Sequence, residues 1–423
     1  MKIHFFWEKI FKLFSHIIKI WYNIQVKEVF IMWIKNRHKF IFWFLKNPFK
    51  LFLKLKYNYK AINYKLEKKP YLIISNHLTT LDPFMLAASF SRPIYFMATA
   101  DLFSSKYGKI INYLVAPIPK NKNVKELGPI KDCIRIVKEG GTIGVFPEGN
   151  RSYDGELCYM DSSIAKLAKM LKIDLVIYNI HGGYGIDPRW CYKARFGKSY
   201  GQVKRVIKAE EMTKMSADEL FELIKEELTV PQVPTENIYK NKNNALGLER
   251  ILYVCPACGK IQTIVTNKNQ IKCTTCGLEV EYTNKLEFKS NNPNFKFKYV
   301  KDWYKYQLDW IKKYNTELEG DIFTDSLTLY VVPFKKRPEE LLIGKLVMKK
   351  DKLIFTSDKL EKEFYLRDIQ DMSVLGKNKL NFYINGETYQ IKGDKTLNVL
   401  KYMHMYYNIK NKNELIDNGF MGI

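Results

Sequence analysis

The chain has 423 residues, 46% of them hydrophobic and 27% charged, which is enough apolar content to fill the cores of two or three domains and excludes a disordered protein. Its 69 lysines and arginines outnumber 44 aspartates and glutamates, and the net charge of +25 points to a polyanionic partner, either nucleic acid or an anionic bilayer. Of seven cysteines, Cys133, Cys158 and Cys191 stand alone, whereas Cys255, Cys258, Cys273 and Cys276 form two close pairs, a metal-binding usage rather than a secreted disulfide framework.

Residues 1–60 interleave bulky apolar side chains with lysines, as in Phe5, Phe6, Trp7, Lys9, Ile10, Phe11 and Lys12, and read as one or two amphipathic helices. Thirteen of the cationic residues lie here against only Glu8 and Glu28, together with four of the seven tryptophans: Trp7, Trp21, Trp33 and Trp43. Aromatic rings beside lysines suit the headgroup boundary of an anionic membrane surface. Pro48 is expected to break or redirect the helix. Glu8, Lys9 and Lys12 interrupt what a signal peptide would need as an apolar centre. The best apolar runs, 29–34 and 40–45, fall short of the roughly 18 residues of a spanning helix. The expectation is a cytoplasmic chain, peripheral on the inner face of the cell membrane.

Across 61–230 short β runs at 71–75, 142–146 and 175–180 alternate with helical spans, which predicts an α/β domain. Residues 231–250 read as a linker, and 251–285 as a small metal module. The remainder, 286–423, opens with a helix near 298–315. It continues with β runs at 327–332, 345–348, 353–356, 363–366, 380–384 and 388–391. Asn385-Gly386 joins the last two as a hairpin, and a helix over 395–408 follows. Antiparallel strands closed by one helix resemble the pleckstrin-homology-like fold.

The chemistry concentrates in two blocks. Asn76-His77-Leu78-Thr79-Thr80-Leu81-Asp82-Pro83 follows directly on the apolar run 71–75. Imidazole titrates near working pH and is suited to take a hydroxyl proton, while a carboxylate five residues on can accept from its other ring nitrogen and fix the tautomer. About 70 residues later Phe146-Pro147-Glu148-Gly149-Asn150-Arg151-Ser152 carries a strand into a tight turn. There Gly149 permits close backbone approach and Arg151 offers a planar fork for phosphate.

These two blocks, in this order, make residues 60–230 resemble the glycerophospholipid acyltransferase family, which includes 1-acylglycerol-3-phosphate acyltransferases. The resemblance implies His77 as general base, Asp82 as its partner, and a block from Phe146 and Pro147 through Glu148, Gly149 and Arg151 that binds the acceptor's phosphate. It implies transfer of a fatty acyl group from acyl-CoA or acyl carrier protein to a lysophospholipid, with no catalytic metal. Between the blocks the family carries an arginine, where this chain offers Lys120 within Ile118-Pro119-Lys120-Asn121-Lys122, a charge without a bidentate fork.

Cys255-Pro256-Ala257-Cys258-Gly259 and Cys273-Thr274-Thr275-Cys276-Gly277, flanked by β-like 251–254 and 278–282, read as a zinc ribbon. Four thiolates fill every position, which implies one structural zinc. A zinc-ribbon nucleic-acid-binding protein is the alternative. The excess charge lies among the N-terminal aromatics rather than around the cysteines, so no nucleic-acid partner is expected.

Overall fold

The computed structural model describes residues 32–99, 102–103, 108–120, 127–314, 320–333, 339–414 and 420–422. The predicted helical stretch over the first 31 residues, with Trp7 and Trp21, and the pair Asn121 and Lys122, lie outside the described residues.

The first sheet contains β1 (Tyr59–Ala61), β2 (Tyr71–Ser75), β3 (Ile94–Thr99), β4 (Ile118–Lys120), β5 (Thr142–Val145), β6 (Asp174–His181) and β7 (Ser199–Ile207), in the order β1-β7-β6-β2-β5-β3-β4. Strands β6, β2, β5, β3 and β4 run parallel. β7 is antiparallel to β6 and parallel to β1. Every residue of β2 is buried, as a parallel strand covered on both faces requires. Its side chains alternate between two apolar cores. Leu72 and Ile74 meet Ile136, Ile164 and Ile224 from helices Gly128–Lys138, Ser163–Leu171 and Ala217–Leu228. Tyr71 and Ile73 join a core with Leu53, Tyr57, Met85 and Leu86 from helices Asn36–Tyr57 and Asp82–Ala87. The result is a three-layer α/β domain.

Pro48 does not end the first helix, which runs from Asn36 to Tyr57 with the proline inside it. The missing N–H removes one bond, but Phe49, Phe52, Leu53 and Tyr57 beyond it pack on the core and hold the helix in line. It stops at Asn58, whose φ is 53°.

A second sheet, β8 (Ile264–Asn267), β9 (Gln270–Cys273), β10 (Glu279–Tyr282) and β11 (Phe288–Lys289), forms the ribbon. The β-like stretch expected at 251–254 is only an isolated bridge, Val254 to Ile261, after the 3-10 turn Leu248–Arg250. Residues 231–250 form no strand and no longer helix, yet Tyr239, Ala245 and Leu248 are buried there, and Asn244 accepts from the buried Arg195 at 3.1 Å. This connection is packed structure rather than a loose tether.

The third sheet is antiparallel: β12 (Phe323–Val331), β13 (Glu339–Met348), β14 (Lys352–Thr356), β15 (Glu361–Tyr365), β16 (Ile369–Leu375), β17 (Lys379–Ile384) and β18 (Glu387–Lys392), ordered β15-β14-β13-β12-β18-β17-β16. Helix Leu400–Glu414 packs on it through Tyr406 and Tyr407. β16 escapes the sequence pattern because Gln370, Asp371 and Ser373 interrupt its apolar run. In the fold Met372 and Val374 face the core, and Tyr407 Oη donates to the Asp371 carboxylate. One continuous apolar cluster joins all three sheets, and the Tyr282 ring of the ribbon lies 5.9 Å from Trp190.

Candidate active site

The parallel strands β2 and β5 are neighbours, and both blocks leave the sheet at their carboxyl ends, the edge where open α/β sheets place ligands. Asn76 finishes β2 by imitating a peptide. Its Oδ1 accepts from the Ile180 N–H at 2.8 Å, and its Nδ2 donates to the Ile180 carbonyl at 3.0 Å. The next residue, His77, is held by its backbone on both sides. Its N–H donates to Glu148 Oε1 at 2.6 Å, and its carbonyl accepts from the Ser152 N–H at 3.0 Å. Both partners belong to the second block, which gives a physical reason for the two blocks to occur together.

His77 Nδ1 lies 2.8 Å from Asp82 Oδ2. Asp82, the first residue of helix Asp82–Ala87 and fully buried, also accepts from the N–H groups of Leu78 at 2.5 Å and Thr79 at 2.8 Å, and from Thr79 Oγ1 at 2.6 Å. An ionised carboxylate only accepts, so this contact assigns the proton to Nδ1 and leaves a lone pair on Nε2. Among the described residues nothing hydrogen-bonds Nε2, and the His77 side chain is 19% exposed. Burial lowers the imidazole pKa below its usual 6.5. The hydrogen bond to Asp82 pulls the other way, and the charges of Arg151 and Arg189 push down further. Phe146 stacks on the His77 ring at 4.4 Å and on Phe96 at 5.8 Å, fixing the plane of the imidazole.

Glu148 turns inward. Its second oxygen accepts from the Cys158 N–H at 2.8 Å, and burial pushes its carboxyl pKa up to about 8 against the pull of the two amides. Gly149 has φ 63°, a left-handed turn that returns its N–H to the Phe146 carbonyl at 3.0 Å. Pro147 occupies that turn, half-buried. Arg151 Nη1 donates to Thr80 Oγ1 at 2.9 Å, which sets the guanidinium over the loop between His77 and Asp82. Lys120 ends β4 on the same rim, but three strand spacings, about 14 Å, separate β4 from β2, and it does not touch the pair. His181, the last residue of β6, stacks on Tyr200 at 4.4 Å.

One residue here had no sequence signal. Arg189 is buried, lies over the Tyr153 ring at 4.5 Å, reaches Asn150 Oδ1 at 3.5 Å and donates to the Val374 carbonyl of β16 at 2.8 Å. It ties the second block to the C-terminal sheet. A lone arginine in an irregular segment carries no spacing that would single it out. Among the described residues neither Arg151 nor Arg189 forms an ion pair with a carboxylate, and the charges of Asp187 and Asp82 act on Arg151 from farther off.

The four ribbon cysteines bring their Sγ atoms within 4.8 Å of one another. Cys255 to Cys276 is 3.7 Å and Cys258 to Cys273 is 3.8 Å. Four thiolates about 2.3 Å from a tetrahedral ion are separated by about 3.8 Å, so the donor set fits zinc. Gly259 and Gly277, at φ 67° and 73°, let each knuckle fold back around that centre.

Fold and site together define a three-layer α/β protein with a part-exposed histidine hydrogen-bonded to a buried aspartate at the carboxyl edge of its sheet, and arginines beside the pair. Residues 56–180 match the family model Acyltransferase. The chain is similar to 1-acyl-sn-glycerol-3-phosphate acyltransferase of Saccharomyces cerevisiae, 27% identical over 178 residues that cover 38% of this chain and 55% of the relative. It is similar to the probable 1-acyl-sn-glycerol-3-phosphate acyltransferase of Mycoplasma genitalium, 25% identical over 28% of this chain and 47% of the relative. The chain thus spans about half the length of the curated relatives it matches. The crystal structure of the 1-acyl-sn-glycerophosphate (LPA) acyltransferase from Thermotoga maritima is similar at 19% identity and a TM-score of 0.38, over 45% of this chain and 75% of that one.

Proposed function

We propose that the chain transfers a fatty acyl group from an acyl thioester, acyl-CoA or acyl carrier protein, to the free hydroxyl of 1-acylglycerol-3-phosphate or a related lysophospholipid. The observation that carries this is the open Nε2 of His77, with Asp82 behind the ring and Arg151 beside it. The acceptor hydroxyl gives its proton to Nε2 as its oxygen attacks the thioester carbonyl. Asp82 stabilises the imidazolium so formed. When the tetrahedral intermediate collapses, the new ester C–O bond remains, the C–S bond breaks, and the departing sulfur takes the proton from His77. Arg151 meets the acceptor phosphate, with Lys120 adding charge along the rim. Purified protein incubated with a panel of lysolipids and both donors, with product read by mass spectrometry, tests this. No acylated lipid from any pairing sinks it.

Arg151→Ala is expected to raise the acceptor KM by about tenfold, the cost of one charge-assisted hydrogen bond, and to leave the thioester KM unchanged. Steady-state kinetics with each substrate varied checks this, and a rise confined to the donor reverses the assignment.

The reading extends to peripheral attachment at the inner face of a membrane. No helix among the described residues is long and apolar enough to cross one. Helix Asn36–Tyr57 instead leaves Phe40, Trp43, Phe44, Leu51 and Leu55 exposed, Trp43 at 73%. Phe49 on the same helix touches Phe84 at 5.0 Å, and Phe84 is itself exposed on the helix that begins with Asp82. An apolar face therefore runs to the rim of the site, with Lys39, Lys46, Lys50 and Lys54 along the helix to meet anionic lipid. Substituting Trp43, Phe44 and Leu55 together by serine is expected to weaken sedimentation with anionic vesicles by about tenfold or more while sparing turnover of detergent-dispersed acceptor. Unchanged sedimentation moves the membrane contact elsewhere.

The ribbon is read as holding one structural zinc through Cys255, Cys258, Cys273 and Cys276, with no position left for a reacting group. Metal analysis of protein purified without chelator is expected to give one zinc per chain. Cys273→Ser is expected to lower the melting temperature of the whole chain, because the ribbon shares its apolar core with Trp190 of the α/β domain.

A further inference from the structure

The C-terminal part of the chain grips the second block at Asn150, which is buried. The Asn150 Oδ1 accepts from Arg189 Nη1 at 3.5 Å, and its Nδ2 donates to the Gly422 carbonyl at 3.4 Å. Both contacts lead to the third sheet. Arg189 Nη2 donates to the Val374 carbonyl in β16 at 2.8 Å, and its Nε donates to the Gly376 carbonyl in the following turn at 3.4 Å. Close to Gly422, Phe420 packs between the rings of Tyr159 at 5.0 Å and Tyr407 at 4.8 Å, and Tyr407 Oη accepts from the Met372 N–H of β16 at 3.4 Å.

The backbone that carries Arg189 is fixed. The Cys191 N–H donates to the Pro188 carbonyl at 3.1 Å, closing a turn over Arg189 and Trp190, and Trp190 is buried against Tyr282 of the ribbon. The buried guanidinium lies over the Tyr153 ring at 4.5 Å and joins acceptors on two separate parts of the fold. A planar fork can bridge them in one geometry, which an ammonium on a flexible stem cannot. Asn150 precedes Arg151, and Ser152, two residues on, donates its N–H to the His77 carbonyl. A displaced Asn150 therefore disturbs both the proposed phosphate contact and the support of the base. Arg189 also acts through its charge. Burial comes first in lowering the pKa of His77 and of Arg151, and the Arg189 charge lowers both further. The charged and titratable groups that face His77 are Asp82 behind the ring, Glu148 at its amide, and Arg151 and Arg189. Arg189 is the one of these four that the C-terminal sheet holds.

We propose, on the acyl-transfer reading, that Arg189 is a positioning residue of the reaction centre: anchored on β16, it sets Asn150 and with it Arg151 for the acceptor's phosphate, which makes the C-terminal sheet a working part of that centre.

The test uses the full chain and three variants. Arg189→Gln removes charge and fork, Arg189→Lys keeps the charge without the fork, and Asn150→Ala keeps Arg189 on β16 but removes its grip on the block. On folded protein, KM is measured for lysolipid acceptor and for thioester donor in detergent. The His77 imidazole is also titrated by NMR on labelled protein, its signal assigned by its loss in His77→Ala. Arg189→Gln is expected to raise the acceptor KM about tenfold, to leave the donor KM unchanged, and to move the His77 titration to higher pH. Arg189→Lys is expected to restore the titration but not the KM. Asn150→Ala is expected to raise the acceptor KM and leave the titration in place. A wild-type acceptor KM in Arg189→Gln overturns the proposal, as does an equal rise for donor and acceptor. If Arg189→Gln does not fold, a wild-type acceptor KM in Asn150→Ala overturns it. No product from the wild type with any lipid sinks the acyl-transfer reading itself, and the titration then decides alone. A shift in Arg189→Gln that Arg189→Lys restores keeps the coupling of Arg189 to His77, and an unmoved titration overturns it.

Discussion

His77→Ala is expected to lower turnover roughly 100-fold or more at saturating substrate, the usual contribution of a positioned general base, without loss of fold. Among the described residues the ring hydrogen-bonds Asp82 alone, while its backbone groups, held by Glu148 and Ser152, remain in place in the variant. Asp82→Asn is expected to lose less. An asparagine oxygen at the Oδ2 position still accepts from Nδ1–H, Leu78 and Thr79, and only the stabilisation of the imidazolium is removed. The pH profile separates the two effects. Burial holds the imidazole below 6.5, so it stays neutral and basic to lower pH, and the acid limb of kcat/KM is expected below 6.5. Because the Asp82 hydrogen bond raises that pKa, Asp82→Asn should shift the limb further down while lowering its plateau. A His77→Ala protein with near-normal rate would remove this histidine from the chemistry.

Glu148→Ala is expected to damage stability and rate together. The His77 and Cys158 amides would lose their acceptors. Each buried amide left unpaired costs about 1–3 kcal/mol, and the carboxyl's own burial offsets part of this, so the expected net loss is about 2–4 kcal/mol. Freed from its clamp, His77 can shift by about 1 Å, a displacement that costs on the order of 100-fold in rate. The stability cost should also depend on pH. A folded-state pKa raised to about 8 means that the native protein holds this proton more tightly than the unfolded chain. Its contribution is then present below the usual carboxylate range and declines as pH rises through about 8. The gap between wild type and variant, measured by denaturant unfolding, should therefore be wider at pH 6 than at pH 8.5. An unchanged midpoint would show that the amides find other partners.

Both substitutions touch residues that are plain in the sequence, yet only one of the two roles is. His77 and Asp82 are legible because their spacing is local: five residues from a strand end to a helix start bring an imidazole and a carboxylate together whatever surrounds them. Glu148 is legible as part of a block, and the resemblance assigns that block to phosphate. Its side chain points the other way, because the parallel pairing of β2 with β5 sets the Glu148 carboxylate against the His77 amide. Phe146 likewise stacks on His77. The roles proposed for Arg151 and Lys120 differ in the same manner. The tight turn after β5 carries Arg151 to Thr80, whereas the sheet order holds Lys120 three strands from β2.

Taken alone, the sequence determined the features that depend on short range: the apolar strand before His77, the alternation of strands and helices, the paired cysteine knuckles with their glycines, and most strands of the C-terminal sheet. Period, spacing and residue type are local quantities, and they survive without knowledge of what lies across the core. Tertiary structure alone decided that Pro48 sits inside a helix held by packing, that Tyr239, Ala245 and Leu248 of the segment 231–250 are buried, and that β16 pairs despite its polar residues. It also decided that Arg189 joins the second block to the C-terminal sheet. In each case the deciding contact joins residues far apart in the chain. Its free energy comes from burial and pairing that exist only once the sheets have docked.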